Sequence, residues 1–233
     1  MANRRERSRC DEIRSEPDRR AYLLAHAMRR IQIGQALEVD PVHLRFSRDA
    51  QGKPLLAWPA PGRIGFSLSH TRELAICVLT AAGDIGVDAE AIRGDADFSL
   101  LAPYIASLDE KQGSPECFFF HWTALEAFWK AHGIGLSTAN PRIRVRATQE
   151  GLYEASFEHD PPGLRRARLM PLPPRSGCAI TVALRTPGVH RAARSEDELV
   201  PGSKAQAGKL CQSSTNNPMN LVRPLTTPRR NVA

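Results

Sequence analysis

The stretch Ile85-Gly86-Val87-Asp88-Ala89-Glu90 decides the reading of this chain. Its apolar residues follow a turn signal at Gly83-Asp84 and describe a short buried strand that ends in two carboxylates. Side chains alternate along a strand, so Asp88 and Glu90 face one way and Ala89 the other. Their Cα atoms lie roughly 7 Å apart, close enough for both carboxylates to lean onto one ion. A second stretch, Trp122-Thr123-Ala124-Leu125-Glu126-Ala127-Phe128-Trp129-Lys130, has helical apolar spacing. Glu126 and Lys130 are four apart and share a helix face. A strand-borne Asp-x-Glu, a helical Glu and a Lys one turn later can therefore converge on one small volume.

Three carboxylates in one place repel. At ~4 Å each pair costs about 4 kcal/mol at an effective dielectric near 20. Either they protonate or a cation sits between them. An all-oxygen set of a few carboxylates suits Mg²⁺, which keeps several waters and binds phosphate oxygens as well. The alternative for a lone Asp-x-Glu is a strand ending in solvent, with Glu126 paired to Lys130 along its helix.

At 233 residues the chain can bury one sizeable core or two small ones. No run approaches the ~18 apolar residues of a membrane span, and the charged start Met-Ala-Asn-Arg-Arg-Glu-Arg lacks the apolar centre of a secretory signal. Five cysteines, Cys10, Cys77, Cys117, Cys178 and Cys211, are scattered without a C-x-x-C. That spacing argues against a zinc site or a disulfide framework and fits a reducing cytoplasm. The net charge of +7 and pI of about 9.5 suit an acidic partner or a polyphosphate ligand. Charge alone also admits nucleic acid, but the sequence lacks aromatic–basic interleaving and zinc-finger spacing, so none is expected.

Arg4, Arg5, Arg7, Arg9, Arg14, Arg19 and Arg20 make a basic entry segment that reads either as a solvated, frayed terminus or as part of an anion site. Leu23, Leu24, Ala27, Met28 and Ile31 then recur at three and four, which predicts an amphipathic helix over 19–33, capped by Asp18 and stopping near Gly34. Val42–Phe46 reads as a short strand. Asp49–Pro54 is a turn with Lys53 at its rim. Ile64–Ser69, Leu74–Thr80 and Ile85–Ala89 read as three strands of an antiparallel meander with the helix packed on it. His70 follows the first of these at a loop. A short helix is expected near Phe98–Ile105, and a strong aromatic-rich helix over Pro115–His132 with Gly133 as its cap. Ile143–Ala147, Leu152–Phe157, Ala167–Leu172 and Cys178–Leu184 read as strands, with Glu150-Gly151 as a hairpin turn. The expected class is α+β: two similar α/β subdomains, each a helix on a small antiparallel sheet, related by pseudo-twofold symmetry with the ligand site at their interface. The halves fall at 1–92 and 93–185, and 186–233 is a Ser-, Pro- and Asn-rich tail without periodic apolar runs.

Four motifs stand in order: Gly52-Lys53-Pro54, Ser67-Leu68-Ser69-His70, Gly86-Val87-Asp88-Ala89-Glu90, and Trp122 through Leu136 with Glu126, Lys130, Gly133 and Gly135. This set resembles the 4′-phosphopantetheinyl transferases, in particular the larger monomeric type that activates peptide and polyketide synthetases in secondary metabolism. The resemblance covers about residues 5–185. It implies coenzyme A as donor and a serine of an acidic apo acyl or peptidyl carrier protein as acceptor. It further implies that Asp88, Glu90 and Glu126 hold Mg²⁺ and that Lys130 neutralises a pyrophosphate oxygen. Ser69, His70 and Lys53 would meet the ribose 3′-phosphate and adenine end, helped by Arg20 and Arg5.

Two departures stand out. Where the family pattern has a lysine before the glutamate, this chain has Leu125, which cannot contact phosphate. The family's first strand also has no counterpart, which would expose part of the first half's core. Both motivate the alternative of a degenerate relative that binds coenzyme A or a carrier protein without transferring.

Overall fold

The structure, a computed structural model, describes residues 4–81, 83–106, 113–135, 137, 139–148, 152–159 and 166–185, with side chains from residue 8 onward. The Glu150-Gly151 turn, Leu136, the Arg5 side chain and the 186–233 tail lie outside the described residues. Two helices come first, α1 (Arg4–Glu12) and α2 (Glu16–Leu37), followed by β1 (Arg45–Arg48) and β2 (Pro54–Trp58). β3 (Gly65–His70), β4 (Ala75–Thr80) and β5 (Ile85–Ala91) lead into a 3₁₀ turn at Phe98–Leu100 and α3 (Pro115–His132). β6 (Ile143–Ala147), β7 (Tyr153–Phe157), β8 (Ala167–Arg175) and β9 (Cys178–Arg185) close the described chain. The architecture is mixed helix and antiparallel sheet, in keeping with an α+β class.

Strand pairing departs from the expected meander. β3 and β4 form a two-stranded sheet by themselves, while β5 pairs with β9 in a five-stranded sheet ordered β5-β9-β8-β7-β6. An alternating pattern fixes which face of a strand is buried but says nothing about which neighbour its edge meets. β5 is buried on both faces, so both edges were open to competition. The sheet thus crosses residue 92, the expected boundary between halves.

The entry segment holds a helix, α1, where the sequence admits a frayed terminus, and α1 turns Cys10 inward. Ser15 occupies the N-cap position of α2; Asp18 sits inside the first turn and pairs with Arg72 at 2.8 Å. The helix runs on past Gly34 to Leu37 and ends on Glu38 in a left-handed conformation, with the Val39 N–H bonded to the Gly34 carbonyl. Its buried face is not the one the leucines mark. Ala25, Met28, Arg29, Arg30 and Ile33 are buried, whereas Leu23, Leu24 and Ile31 are exposed. Met28 and Ile33 pack with Leu44, Leu56, Phe66, Cys77 and Leu79. The arginine stems take the place of apolar residues: the Arg29 guanidinium lies 4.3 Å from the Phe46 ring centre and 5.6 Å from that of Phe66. Counting only apolar letters rotates the inferred stripe toward the leucines.

β1 begins at Arg45 rather than Val42, because Asp40 to His43 close a turn first. β2 has no signal in the sequence pattern; it opens on a proline and, among the described strands, pairs only with β1. The helix expected near Phe98–Ile105 shrinks to its first turn, capped by Asp97 and stopped ahead of Pro103. α3 has the expected bounds. Ser114 caps its start by accepting from Cys117 N–H, and Gly133 ends it at φ 72°.

Candidate active site

The site grows from the two edges and two faces of β5. Toward β9 the strand exchanges ladder bonds at even positions, as Arg185 N–H to Asp84 and Ile92 N–H to Gly177 mark at its ends. The odd amides, Val87 and Ala89, therefore point the other way, toward β3. They meet side chains instead of backbone. Val87 N–H donates to Ser67 Oγ at 3.0 Å and Ala89 N–H to Ser69 Oγ at 3.2 Å. The serine spacing of two matches the strand repeat of two, which gives the Ser-x-Ser motif a physical reason. All four groups are buried, so each hydroxyl satisfies an amide that water cannot reach.

On its even face, β5 presents Gly86, Asp88 and Glu90 to α3. Gly86 lies directly under the helix. A Cβ there would stand 2.0 Å from the Ala127 carbonyl oxygen and 2.6 Å from the Ala131 nitrogen. The glycine is what lets α3 approach the strand backbone, and that approach carries Glu126 and Lys130 over Asp88. Thr181, opposite Asp88 on β9, adds a buried tie: its hydroxyl lies 2.8 Å from that of Thr123 on α3, which in turn donates to the Phe120 carbonyl.

Asp88 is the centre of the arrangement and is 4 % exposed. Its Oδ1 accepts from Lys130 Nζ at 2.7 Å and from Ser69 Oγ at 2.9 Å. Its Oδ2 is buried and has no hydrogen-bond partner among the described residues. Lys130 also approaches Ser69 Oγ at 3.5 Å. Lys130 thus pairs with Asp88 across the strand–helix contact and not with Glu126 along its own helix. Glu126 and Glu90 are half-buried nearby. Burial first, and the Asp88 charge second, push both carboxyls above the ordinary range; Lys130 opposes this at Glu126, and Arg93 with Lys130 opposes it at Glu90.

Cavities open on both sides. One of about 320 Å³ is lined by Arg29, Lys53, Phe66, Lys130, Gly133 and Gly135, among others. The other, of about 590 Å³, includes His70, Arg72, Glu90, Arg93 and Cys178. The expected donor-end residues are therefore divided. Lys53 is held by the Ala131 carbonyl at 2.9 Å and Asp84 at 3.6 Å, and burial lowers its pKa. His70 sits at the far end of β3 against Tyr22; desolvation, then the charges of His26 and Lys130, hold its imidazole below the usual value. Arg20 is exposed on α2 and belongs to the lining of neither cavity. Arg29 is the residue that sequence reasoning passes over, since an arginine in a helix reads as solvent-facing. Leu125 is fully buried in the core around α3, so position 125 faces the packing and not the acidic site.

The residues fit a hard divalent cation in their chemistry: an all-carboxylate set, one orphaned buried oxygen, and two acids that burial, and then the Asp88 charge, shift toward protonation. As placed, Lys130 supplies the positive charge, and among the described residues no three His, Cys, Asp or Glu side chains are gathered closely enough to ligate a metal.

Removing Ser67 should leave a buried amide unsatisfied at a cost of about 1–3 kcal/mol. Ser67→Ala is therefore expected to lower the urea midpoint, while Ser69→Ala lowers both the midpoint and activity, since Ser69 also holds Asp88. Equal loss of activity in both variants would contradict this division.

A buried carboxylate–lysine pair, flanked by two further acids and by one cavity lined by Arg29, Lys53 and Lys130, has the chemistry of an enzyme site for a phosphate-linked substrate. The chain belongs to the 4′-phosphopantetheinyl transferase family. It is 30 % identical over 179 residues to the 4′-phosphopantetheinyl transferase HetI of Nostoc sp., covering 71 % of each chain. It is 28 % identical over 174 residues to a phosphopantetheinyl transferase of Thraustochytrium sp., covering 66 % of this chain and 56 % of that one. Identity to the 4′-phosphopantetheinyl transferase Sfp of Bacillus subtilis is 27 % over 151 residues, 62 % of this chain and 66 % of Sfp. No protein-family model matches the chain. No helix among the described residues is long and apolar enough to cross a membrane.

Proposed function

We propose that the protein transfers the 4′-phosphopantetheine group of coenzyme A to a serine of an acyl or peptidyl carrier protein, with Mg²⁺, releasing 3′,5′-ADP. The observation that carries this reading is the meeting of Ser69, Asp88 and Lys130 from three elements at one buried point, with Glu90 and Glu126 beside it. Family membership supports the group transferred. Residues 1–92 and 93–185 are read as two related halves with the donor between them, in a cytoplasmic monomer.

Asp88, Glu90 and Glu126 are the residues that would hold the metal, which, when bound, would offset charge on the diphosphate. Lys130, one turn after Glu126, reaches a phosphate oxygen and stabilises the charge that builds as the diphosphate bond breaks. The serine oxygen forms its bond to the β-phosphorus as the bridging P–O bond to 3′,5′-ADP breaks. Glu126 takes the serine proton, directly or through a water. Burial and then the Asp88 charge raise its pKa in the metal-free site, which increases its affinity for a proton. Lys53, Ser69, His70 and Arg20, with Arg5, are assigned to the nucleotide end. The basic chain favours encounter with an acidic carrier.

The test is incubation with coenzyme A, Mg²⁺ and a panel of apo carrier proteins, read by intact mass. The expected result is a phosphopantetheine addition on at least one carrier. Coenzyme A binding with no addition on any carrier would favour a non-catalytic binding role instead.

A further inference from the structure

Asp88 faces two claims on one carboxylate. Oδ1 already holds Ser69 and Lys130, while Oδ2 is buried and unpartnered among the described residues. The two partners of the ion pair differ in freedom. The Asp88 side chain is 5 % exposed and rides on β5, which is buried over its first five residues; that of Lys130 is 33 % exposed on a flexible four-carbon stem. Lys130 also lines the cavity that Arg29 and Lys53 make basic, so turning away from Asp88 carries its ammonium toward where an anion would sit. The site thus has two self-consistent charge arrangements. In one, Lys130 neutralises Asp88. In the other, Lys130 faces an anion and a second cation neutralises Asp88. A mixed arrangement leaves a buried carboxylate bare or sets two cations side by side, and either is costly.

We propose that the Asp88–Lys130 ion pair is an internal latch that couples the two ligands of the site: a diphosphate-bearing donor draws Lys130 off Asp88, and a divalent cation replaces it there. This rests on the donor and metal reading above and adds a prediction about their mutual dependence. Each ligand binds more tightly in the presence of the other, and the factor is the same in both directions. A value of about 5- to 150-fold is expected for a coupling of this kind. Coupling from a metal that merely bridges donor and carboxylates would not need Lys130. Coupling through the latch does.

Calorimetry on the full chain, without a carrier protein, tests this apart from turnover. Mg²⁺ is titrated with and without saturating coenzyme A, after subtraction of Mg²⁺ binding to coenzyme A alone, and coenzyme A is titrated with and without Mg²⁺. The wild type is expected to give one factor in both directions. Lys130→Met, or Lys130→Gln should the first variant fail to fold by circular dichroism, is expected to bind Mg²⁺ more tightly than wild type when no donor is present. Its coupling factor is expected to fall toward one. Equal Mg²⁺ affinity with and without coenzyme A in the wild type would overturn the latch, as would a full coupling factor in a folded Lys130 variant. Coenzyme A that binds without coupling sinks the latch alone; coenzyme A that binds under no condition sinks the donor assignment with it.

Discussion

Replacing Glu126 by glutamine is expected to lower kcat for phosphopantetheine transfer about 10²–10⁴-fold while the protein stays folded. Glutamine keeps the shape of the side chain and its place on α3 but cannot accept the serine proton. The pH profile separates this role from simple packing. Burial and the Asp88 charge raise the Glu126 pKa above the ordinary 4.5. A base works only when deprotonated, so activity should fall as pH drops through its pKa. A bound divalent cation lowers that pKa again, so the acidic limb of the kcat profile should move to lower pH as Mg²⁺ saturates, and it should flatten in the variant. Near-normal turnover in Glu126→Gln, or an unchanged acidic limb, would remove Glu126 from the proton-accepting role.

Gly86→Ala should have the largest effect on stability of any single methyl addition at the described glycines beneath α3. The added Cβ would meet the Ala127 carbonyl oxygen at 2.0 Å, and both partners are backbone, so neither can rotate away. Either α3 lifts or β5 shifts. A cost of about 3 kcal/mol, at the upper end for overpacking, is expected. For a chain of this length that corresponds to a Tm lower by about 6–12 °C. Transfer should fall as well, because the helix that lifts carries Glu126 and Lys130 away from Asp88. Gly94→Ala is the control: a Cβ added at that position meets nothing within 4 Å, and its effect should stay within about 0.5 kcal/mol. A Gly86→Ala protein that melts with the wild type would mean that α3 and β5 are not packed this closely.

Much of the site was legible from residue type and spacing. Asp88 and Glu90 alternate with Val87 and Ala89, and Glu126 and Lys130 are one turn apart; those repeats are local and survive without knowing the neighbours. The bounds of α3 were legible for the same reason, since its pattern opens at Pro115 and closes at Gly133. Arg29 was not, because burial of an arginine depends on Phe46 and Phe66 arriving from other elements. The division of Lys53 from His70 was equally hidden: which cavity each lines depends on where the β1–β2 turn and the end of β3 come to rest.

The sequence by itself determined the kinds of most elements, α1 and β2 excepted, and the chemical inventory: three acids, a lysine and paired serines. Period and chirality within one segment decide those things. Only the tertiary structure decided that β5 takes β9 as its ladder partner and leaves its other edge to the hydroxyls of Ser67 and Ser69. It also decided that Lys130 reaches across to Asp88 instead of along its helix to Glu126. Edge pairing and charge pairing are contests between distant groups for the same buried donor or acceptor, and such a contest is settled by packing, which no local pattern records.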